Sequence, residues 1–531
     1  MPNTINSTDA IIIGGGHNGL VCAYYLASKG LKVNIFERRS IVGGAAVTEE
    51  FHPGFKNSVA SYTVSLLNPE IIKEMKLKEY GLKIVKRPIS NFLPINNTTY
   101  LKLGGGLERT QEEFKKFSEK DAARLPEYYA RIEAVADVLR DLSVKTPPNP
   151  KQGIKAALSA ALQLWPIATK GNQVHRDVYD LFTKSARSFL DSWFENEHIK
   201  AAFGFDSIVG NFASPDTPGS AYVLLHHVFG EIDGEKGAWG HAIGGMGAIT
   251  QAMEKACKNM GVKIFTDAPV NKVIVKDNAA VGIELEDGSS IEANKIISNL
   301  NPKLLYKKLI SEDELEPEFN RSMDGYKCGS GTFRMNVALA ELPDFSALPG
   351  KEAAEHHQSG IVIAPTLDYM DKAYIDAKSQ GWSSAPIVEM LIPSTMDDTL
   401  APEGKHVASL FCQQFSPAMP DGSSWHDHRL AAADTIIETV TKHAPNFRES
   451  ILGMMILSPL DLEEKFGLIG GDIMHGQMSL DQMWAARPLM NFGNYRGPLK
   501  SLYMCGSGTH PGGGVTGLPG KNAAREILKD L

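Results

Sequence analysis

The first forty residues alternate between short apolar runs and one amphipathic stretch. Residues 10–13 form an apolar run that predicts a short buried strand, and residues 32–36 predict a second strand. From Gly19 to Gly30, apolar and small residues recur every three or four positions, as they do on one face of a helix. We therefore expect a strand, a helix and a second strand, which is the order of a βαβ unit.

Helical periodicity dominates the next part of the chain. Residues 110–142 predict a helix that is interrupted at Pro126, because proline lacks the backbone N–H that a helix interior uses. The proline-rich segment 146–150 predicts a linker. Residues 154–204 are helical again, with a first stretch that is expected to end at Pro166. This part of the chain therefore predicts a helical region that follows the βαβ unit.

Strand-like segments dominate the remainder. Residues 248–260 predict a helix, and Asp287-Gly288 predicts a hairpin turn. The strands predicted around that turn are residues 262–265, 270–275, 280–285 and 295–298. Alternating apolar and polar positions predict an antiparallel sheet, with strands at residues 332–340, 386–392 and 406–412. The last forty residues return to a strand, a glycine-rich loop and a helix, at 502–505, 506–520 and 521–528.

A glycine pattern joins the first predicted strand to the first helix. Gly14, Gly16 and Gly19 fit G-x-G-x-x-G, in which the glycines allow a tight turn, a close approach to a pyrophosphate and close helix–strand packing. The N-terminus of the helix offers free N–H groups to phosphates. Glu37 ends the second strand, where a carboxylate can hold ribose hydroxyls. The combination predicts a dinucleotide site.

The same pattern occurs a second time, from Gly512 to Gly517. The residues that follow, 518–531, suffice for one helix but not for a further strand and a ribose-binding acid. We therefore predict that this loop reaches the same cofactor from the other end of the chain. A cofactor held at both ends is long, and FAD fits: its diphosphate at the first loop, its ribityl chain and isoalloxazine at the last.

Composition and charge exclude several other classes of protein. The formal net charge is −8 and no basic block occurs, so nucleic acid is not an expected partner. The five cysteines include no C-x-x-C pair, which argues against a zinc ribbon or a redox disulfide. We see no export signal or membrane-spanning run, and expect a soluble cytoplasmic protein, or a mitochondrial matrix protein in a eukaryote.

Several motifs carry a family resemblance. Glu37-Arg38-Arg39 followed by Gly43-Gly44-Ala45 resembles the second FAD motif of the phytoene desaturase and amine oxidase superfamily. The segment GGMGAITQAMEKACKNMGVKIFTDAPVNKVIV is similar to its middle motif, and THPGGGVTG to its closing motif. Longer phrases, among them GAWGHAIGGMGA and LYMCGSGTHPGGGVTG, resemble the pyridine nucleotide-disulfide oxidoreductase domain-containing protein 2 group. That group is a branch of the phytoene desaturase-like flavoproteins.

The resemblance implies an α/β fold, with a discontinuous Rossmann-like FAD-binding domain and a mixed α+β substrate domain. It also implies a set of FAD contacts. With those expected from the glycine loops, they are Gly14, Gly16, His17, Asn18, Gly19, Glu37, Arg38, Gly43, Gly44, Ala45, Val270, Gly506, Ser507, Gly513, Gly514 and Val515. Ser507 stands where amine oxidases commonly have a ribityl-binding glutamate, so backbone N–H groups are expected to take that role. No second fingerprint remains for a pyridine nucleotide.

Three residues are candidates for the chemistry beside the flavin. His510 lies where the last strand meets the glycine turn, and it either acts on the substrate as an acid or base or bonds the loop backbone. His475 and Arg487, with Gln482 between them, lie in a stretch that the family similarity places near the flavin. Arg487 pairs alternatively with a structural carboxylate. His241 is a further, weaker candidate.

The predicted reaction is FAD-dependent dehydrogenation of an apolar, isoprenoid or lipid-like small molecule, with dioxygen, a quinone or another carrier as electron acceptor. Two alternatives stay open: a redox-neutral isomerase that uses reduced FAD, and a flavin-containing regulatory protein that binds a partner. The sequence identifies neither the substrate nor the oligomeric state.

An apolar stripe, formed by Ile154, Leu158, Leu162 and Trp165, is predicted in the helical region. It belongs either to the core or to an amphipathic face that touches a membrane surface. The pairs His226-His227 and His356-His357 lack a wider ligand pattern, and no metal site is expected.

The chain is expected to divide into alternating parts of two domains. The FAD-binding domain takes residues 1–75, 236–302 and 491–531. The substrate domain takes a helical part at 76–235 and a sheet-containing part at 303–490.

Overall fold

The structure, a computed structural model, describes residues 8–531, and its strands and helices follow one another in mixed order. The strands are β1 (Thr8–Ile13), β2 (Val33–Phe36), β3 (Thr48–His52), β4 (Phe55–Ser58), β5 (Ile84–Lys86), β6 (Asn91–Pro94), β7 (Tyr100–Leu103), β8 (Glu231–Ile232), β9 (Glu235–Lys236), β10 (Gly240–Ala242), β11 (Lys263–Phe265), β12 (Val270–Lys276), β13 (Ala279–Leu285), β14 (Ser290–Ser298), β15 (Thr332–Leu339), β16 (Gly360–Ile363), β17 (Trp382–Leu391), β18 (His406–Phe415), β19 (Ile451–Leu457) and β20 (Leu502–Met504). The α-helices are α1 (His17–Ala27), α2 (Pro69–Glu74), α3 (Leu107–Lys115), α4 (Glu119–Ser143), α5 (Ile154–Ala168), α6 (Asn172–Thr183), α7 (Ala186–Asp191), α8 (Glu197–Gly204), α9 (His226–Phe229), α10 (Gly247–Asn259), α11 (Pro302–Leu304), α12 (Pro317–Asp324), α13 (Leu367–Gln380), α14 (Trp425–His443), α15 (Phe447–Ser450), α16 (Pro459–Phe466) and α17 (Leu518–Leu528).

The first sheet is built from both ends of the chain. Its strand order is β11-β2-β1-β14-β13-β12, and β20 also pairs with β14. Strands β11, β2, β1, β14 and β20 run parallel, whereas β12 and β13 pair antiparallel. The N-terminal half of β14 pairs with β13 and its C-terminal half with β20, so one long strand connects the two kinds of pairing. The C-terminal strand of the chain thereby lies beside the βαβ unit of its N-terminus.

The second sheet has the order β19-β15-β18-β17-β16-β6-β7. All its pairings are antiparallel except that of β6 with β16. Most positions of β15, β17 and β18 are buried, because helix α14 packs on one face and apolar residues of the helical region pack on the other. The predicted antiparallel sheet is thus present, with one parallel pair that the sequence pattern did not indicate.

Two predictions about proline were wrong. Pro126 lies inside α4 and does not interrupt it; the break lies earlier, where Ser118 accepts a hydrogen bond from Asp121 N as the N-cap of α4. Pro166 likewise lies within α5. In α5 only Ala156 is buried, whereas Ile154 is 81% and Leu162 74% exposed. The stripe of this helix is therefore a surface feature, and the core alternative for it was wrong.

Helix α17 packs against α1 through glycine. A Cβ atom added at Gly520 would lie 2.2 Å from the backbone oxygen of Asn18 and 3.1 Å from the backbone nitrogen of Cys22. Ala523, Ala524 and Ile527 of α17 belong to one apolar core with residues of α1 and α10. A bare backbone at position 520 is therefore what allows the two helices to approach.

We predict that Gly520→Ala destabilises the protein, although alanine is favoured over glycine in a helix by about 1 kcal/mol. The new methyl group has no room against the backbone of α1, and such overpacking typically costs about 1–3 kcal/mol. The thermal unfolding midpoint of the variant should fall. Gly350→Ala is the matched control, since nothing lies within 4 Å of its added Cβ; a Gly520→Ala midpoint at or above wild type would contradict the packing argument.

Candidate functional site

A cavity of about 440 Å³ extends from the first glycine loop to the second sheet. At one end it is lined by residues that follow β1, β2 and β14, among them Gly14, Glu37 and Asn299. At the other end it is lined by side chains that include Arg87 of the segment after β5 and Phe411 of β18. The cavity is therefore bounded by both sheets.

Asn299 lies between the two glycine loops. Its side-chain amide donates to Gly14 O at 3.3 Å, and its backbone N–H continues the sheet by donating to Ile13 O at 2.9 Å. A Cβ added at Gly16 would lie 2.6 Å from Asn299 Nδ2, and one added at Gly506 would lie 2.6 Å from Asn299 O. Both loops therefore need glycine where they contact this residue.

The N-terminus of α1 has the properties of an anion site. Its N-cap is Gly16, which offers no side-chain cap, and no acidic residue occupies the first turn. The first N–H groups of the helix are thus free of a capping side chain, and together with the helix dipole they favour a phosphate. The chemistry of this end of the cavity fits the diphosphate of a dinucleotide.

Glu37 lies at the end of β2, as its position in the sequence predicts. Its carboxylate is 7% exposed and accepts hydrogen bonds from Gly15 N at 2.8 Å and from Arg39 N at 2.9 Å. Arg38 lines the cavity from the surface, and its guanidinium donates to the backbone oxygens of Glu464 and Lys465. Each carboxylate oxygen of Glu37 keeps a further lone pair that a ribose hydroxyl can use.

The C-terminal loop is tied directly to α1. Asn18 Nδ2 donates to Ser507 Oγ at 3.2 Å, and His17 Nε2 lies 3.2 Å from Gly514 O. Burial lowers the pKa of His17 to about 4, so its imidazole is neutral near pH 7. Asn18 Oδ1 is buried without a hydrogen-bond partner among residues 8–531, which fits a bound group that brings a donor.

Most of the predicted cofactor residues line this cavity. Those that do are Gly14, Gly16, His17, Asn18, Glu37, Arg38, Gly44, Ala45, Val270, Ser507, Gly514 and Val515. The remaining four, Gly19, Gly43, Gly506 and Gly513, are not among the described lining residues. They hold the loops together instead: Gly43 N donates to Gly15 O at 2.8 Å, and a Cβ added at Gly19 would lie 2.5 Å from Gly14 O.

Arg487 acts as a buried clamp on backbone oxygens. It is 1% exposed, and its guanidinium donates to the carbonyls of Met474, Gly476, Gln482 and Ser507 at distances from 2.6 to 3.4 Å. It is not among the described residues that line the cavity. The predicted alternative, a pairing with a carboxylate, is also not what its hydrogen bonds show; Arg487 fastens the segment 474–482 to the closing glycine loop.

The three histidine candidates occupy different positions. His475 lines the cavity, and burial together with the nearby charge of Arg487 lowers its pKa to about 3. Its Nδ1 atom is buried without a partner in the described part of the chain. His510 lies outside the described lining, with Nε2 3.1 Å from Leu142 O. His241 contacts Asp397 at 2.8 Å, and that carboxylate also accepts from Gly244 N, which indicates a structural role.

The sequence analysis missed Asn299 and the residues at the far end of the cavity. Asn299 follows β14 immediately, and the carboxyl ends of neighbouring parallel strands meet at one sheet edge, so this position carried a usable signal. The far end is lined by Tyr62, Arg87, Asp206 and Glu389, which come from four separate segments. Their convergence depends on the pairing of the second sheet, and no local pattern indicates it.

The histidine pairs do not form a metal centre with described residues. His356 and His357 lie in a turn rather than in a strand, with ring centroids 3.9 Å apart, and His357 Nε2 lies 3.0 Å from Pro343 O. The side chains of His226 and His227 are outside those that the structure describes. None of the described helices combines the length and the apolarity that crossing a bilayer requires.

The sequence model described as flavin containing amine oxidoreductase matches residues 19–332. Pyridine nucleotide-disulfide oxidoreductase domain-containing protein 2 of Rattus norvegicus is 39% identical, over 98% of this chain and 94% of its own. One of the polypeptides of limonene dehydrogenase from Castellaniella defragrans is 25% identical, over 99% and 95% of the two chains. The lycopene-forming phytoene desaturase of Pantoea ananas is 24% identical, over 98% and 99%.

The fold also resembles solved structures. A triple mutant of putrescine oxidase aligns with a TM-score of 0.60 and 16% sequence identity, covering 99% of both chains. At this identity the likeness concerns the fold alone.

We predict that His510→Gln reduces the loss of stability at acidic pH. Burial, chiefly, lowers the pKa of folded His510 to about 4, whereas an unfolded histidine titrates near 6.5. Between these values the unfolded chain binds a proton that the folded chain does not, which costs about 1.4 kcal/mol per pH unit. Glutamine removes this contribution and can still donate to Leu142 O.

The measurement is the thermal unfolding midpoint from pH 7.5 to pH 4.5. Gly520→Ala is the control, because it removes no titrating group and should lower the midpoint at every pH. An identical pH dependence of His510→Gln and wild type would contradict the assignment of a buried, neutral imidazole.

Proposed function

The chain belongs to the flavin-containing amine oxidoreductase family, and on this premise we propose that it dehydrogenates an apolar organic substrate, with hydride transfer to flavin N5. The family membership confirms the predictions of a flavoprotein oxidoreductase with FAD as cofactor and of the phytoene desaturase-like resemblance. The α/β fold predicted from the sequence is confirmed as well. Substrate, mechanism and site residues are the proposed part.

The observation that carries the proposal is the continuity of the cavity. It runs from the N-terminus of α1, whose chemistry fits a diphosphate, to aromatic side chains of the second sheet region such as Tyr62 and Phe411. FAD, when bound, accepts the two electrons and the hydride of the oxidation. The remaining space beside the second sheet is then available to the substrate.

We assign the cofactor contacts along this cavity from one end of FAD to the other. The loop from Gly14 to the start of α1 would hold the diphosphate, and Glu37 the adenosine ribose. The backbone of Val270 would meet the adenine. Ser507 and Gly514, which are tied to α1 by hydrogen bonds, would face the ribityl chain and the isoalloxazine.

We propose different roles for the three candidate catalytic residues. His475 lines the cavity and is neutral near pH 7, so its unpartnered Nδ1 is suited to hydrogen-bond the reacting region rather than to carry a charge. Arg487 positions His475 indirectly, because it binds the backbone oxygens of Met474 and Gly476 on either side. His510 supports the closing loop through Leu142 O.

An apolar substrate is supported by the lining and by two relatives. Residues such as Phe205, Val209, Phe411 and Ile473 contribute apolar surface to the cavity. The similar proteins named for limonene and phytoene act on hydrocarbons by name. We propose dioxygen or a quinone as electron acceptor, and a cofactor domain composed of residues 1–75, 236–302 and 491–531. The substrate domain would comprise 76–235 and 303–490.

We also propose that α5 contacts an anionic membrane surface. Its exposed face carries Ile154, Leu158, Leu162 and Trp165, which are between 61% and 81% exposed. Residues 142–176 contain four lysines and one arginine but no acidic residue, in a chain whose net charge is −8. Such a basic, apolar helix with a tryptophan suits the lipid interface. It would place the protein next to a reservoir of apolar substrate.

We predict that anaerobic mixing of the FAD-bound protein with hydrocarbon substrates of the terpenoid class bleaches the flavin absorbance. Dioxygen or a quinone should restore it. His475→Leu should slow bleaching about tenfold, the effect of losing one hydrogen bond, while FAD content is unchanged. His510→Gln is the control and should bleach at the wild-type rate.

Other outcomes discriminate between the alternatives. Product isomers that form only after prior reduction of the flavin would indicate the isomerase. Oxidation of amines with no reaction of hydrocarbons would overturn the apolar substrate. A colourless protein that does not bind added FAD would overturn the entire assignment.

We predict that the protein floats with vesicles of phosphatidylcholine and phosphatidylglycerol, and less so at high salt. Replacing Leu158, Leu162 and Trp165 together by serine should abolish flotation. Serine at Leu430 and Ile375, which are 68% and 54% exposed elsewhere, is the matched control and should leave it unchanged. Absence of flotation by wild type, or an oligomer that the triple variant dissociates, would contradict the membrane assignment.

A further inference from the structure

We propose that the end of the cavity remote from the glycine loops binds a carboxylate of the substrate through Arg87. The inference rests on the proposed function and makes its substrate more specific: an apolar molecule that ends in an anionic group. Arg87, Tyr62, Asp206 and Glu389 all line this end, beside the apolar surface of Phe411. Charged side chains at this end of the cavity need a reason, because burying them is costly unless they are paired.

Arg87 is the residue whose charge is least matched. Its guanidinium donates to Thr63 Oγ1, which is neutral, and lies 5.9 Å from the centre of the Trp239 ring. Among the described residues, no carboxylate forms a salt bridge with it. Its backbone is held by a hydrogen bond from Arg87 N to Trp239 O at 3.0 Å, so the position of the side chain is fixed from below. A guanidinium in this setting is suited to bind a planar carboxylate with two hydrogen bonds.

The nearby acidic groups already have partners. Glu389 is 6% exposed and accepts a hydrogen bond from the hydroxyl of Tyr62. Burial raises the pKa of Glu389, while the positive charge of Arg87 opposes this shift. Asp206 also has an interaction of its own within the protein. The acidic side chains therefore do not present an unmatched negative charge to a cationic ligand.

A second arginine adds positive charge behind the lining. The Arg334 guanidinium lies 4.6 Å from the centre of the Tyr62 ring and donates to Ser409 Oγ at 2.7 Å. It is 1% exposed, and burial lowers its pKa to about 10, which leaves it charged near pH 7. Tyr62 separates it from the cavity, so it contributes to the field without competing with Arg87 for the ligand. The local potential favours an anion over a neutral or cationic group.

The test compares three probes of equal chain length: decanoate, 1-decanol and decylamine. They are titrated into the FAD-bound protein, and binding is followed by the flavin difference spectrum and by calorimetry. We expect decanoate to bind at least about tenfold more tightly than 1-decanol, since a charge-assisted pair contributes about 1.5–3 kcal/mol. Arg87→Met should remove this preference and leave the affinity for 1-decanol within about twofold.

Lys86→Met is the matched control. Lys86 is adjacent in sequence, but it lies on the surface in an ion pair with Glu235, so its removal should leave all three affinities unchanged. Arg87→Lys keeps the charge and loses the planar fork, and it should weaken decanoate binding less than Arg87→Met does. This second variant also serves if Arg87→Met is unstable, and FAD content and unfolding midpoint report that directly.

Two failures are distinguishable. A protein that binds no FAD would overturn the proposed function itself. A protein that binds FAD but prefers 1-decanol or decylamine, or binds none of the probes, would overturn the carboxylate site alone. Equal losses of decanoate and 1-decanol binding in Arg87→Met would likewise contradict it, because they would indicate a general collapse of the cavity.

Discussion

The close approach of backbone segments at one edge of the first sheet is the constraint on which the rest of the structure depends. The loops after β1, β14 and β20 meet there, and Asn299 lies between them. Any side chain at Gly16 or Gly506 would collide with that residue at 2.6 Å. The contact is made largely of main chain, so it tolerates little change and fixes the distance between the two termini of the chain. Because that distance is fixed, one cavity can be bounded by loops about 490 residues apart in sequence.

The same constraint explains why the chain passes between its two sheets more than once. The helical region and the second sheet are inserted between strands that pair side by side, β1 with β14 and β14 with β20. An insertion of this kind starts and ends at the sheet edge where the cofactor residues lie. It therefore extends over the cavity, and its own residues, Tyr62, Arg87 and Phe411 among them, complete the lining.

Sequence analysis recovered the parts of the site that local chemistry dictates. The glycines, Glu37 and the strand-to-helix turns follow from what a diphosphate and a ribose require of the backbone, and twelve of the sixteen predicted cofactor residues line the cavity. Residues that act through tertiary contacts were assigned less well. Arg487 and His510 are close to the predicted site in sequence, yet their partners are backbone oxygens set by loop geometry. Arg87 had no signal at all, since its significance arises from strands of the second sheet. Pro126 was misread because a sequence pattern does not show that Ser118 begins the helix on its N-terminal side.

The two ends of the cavity are both electropositive, but for different physical reasons. At the glycine loops the positive potential comes from N–H groups and the dipole of α1, which require no charged side chain and leave the backbone free to approach a ligand. At the far end it comes from a guanidinium, which acts from the tip of a long side chain and needs no close main-chain approach. The first arrangement suits a cofactor that is held permanently against the sheet edge. The second suits a ligand that enters and leaves, because a side-chain charge holds an end group without enclosing the rest of the molecule. Apolar surface between two anion-binding ends thus orders an elongated occupant with its hydrocarbon portion beside the reactive region.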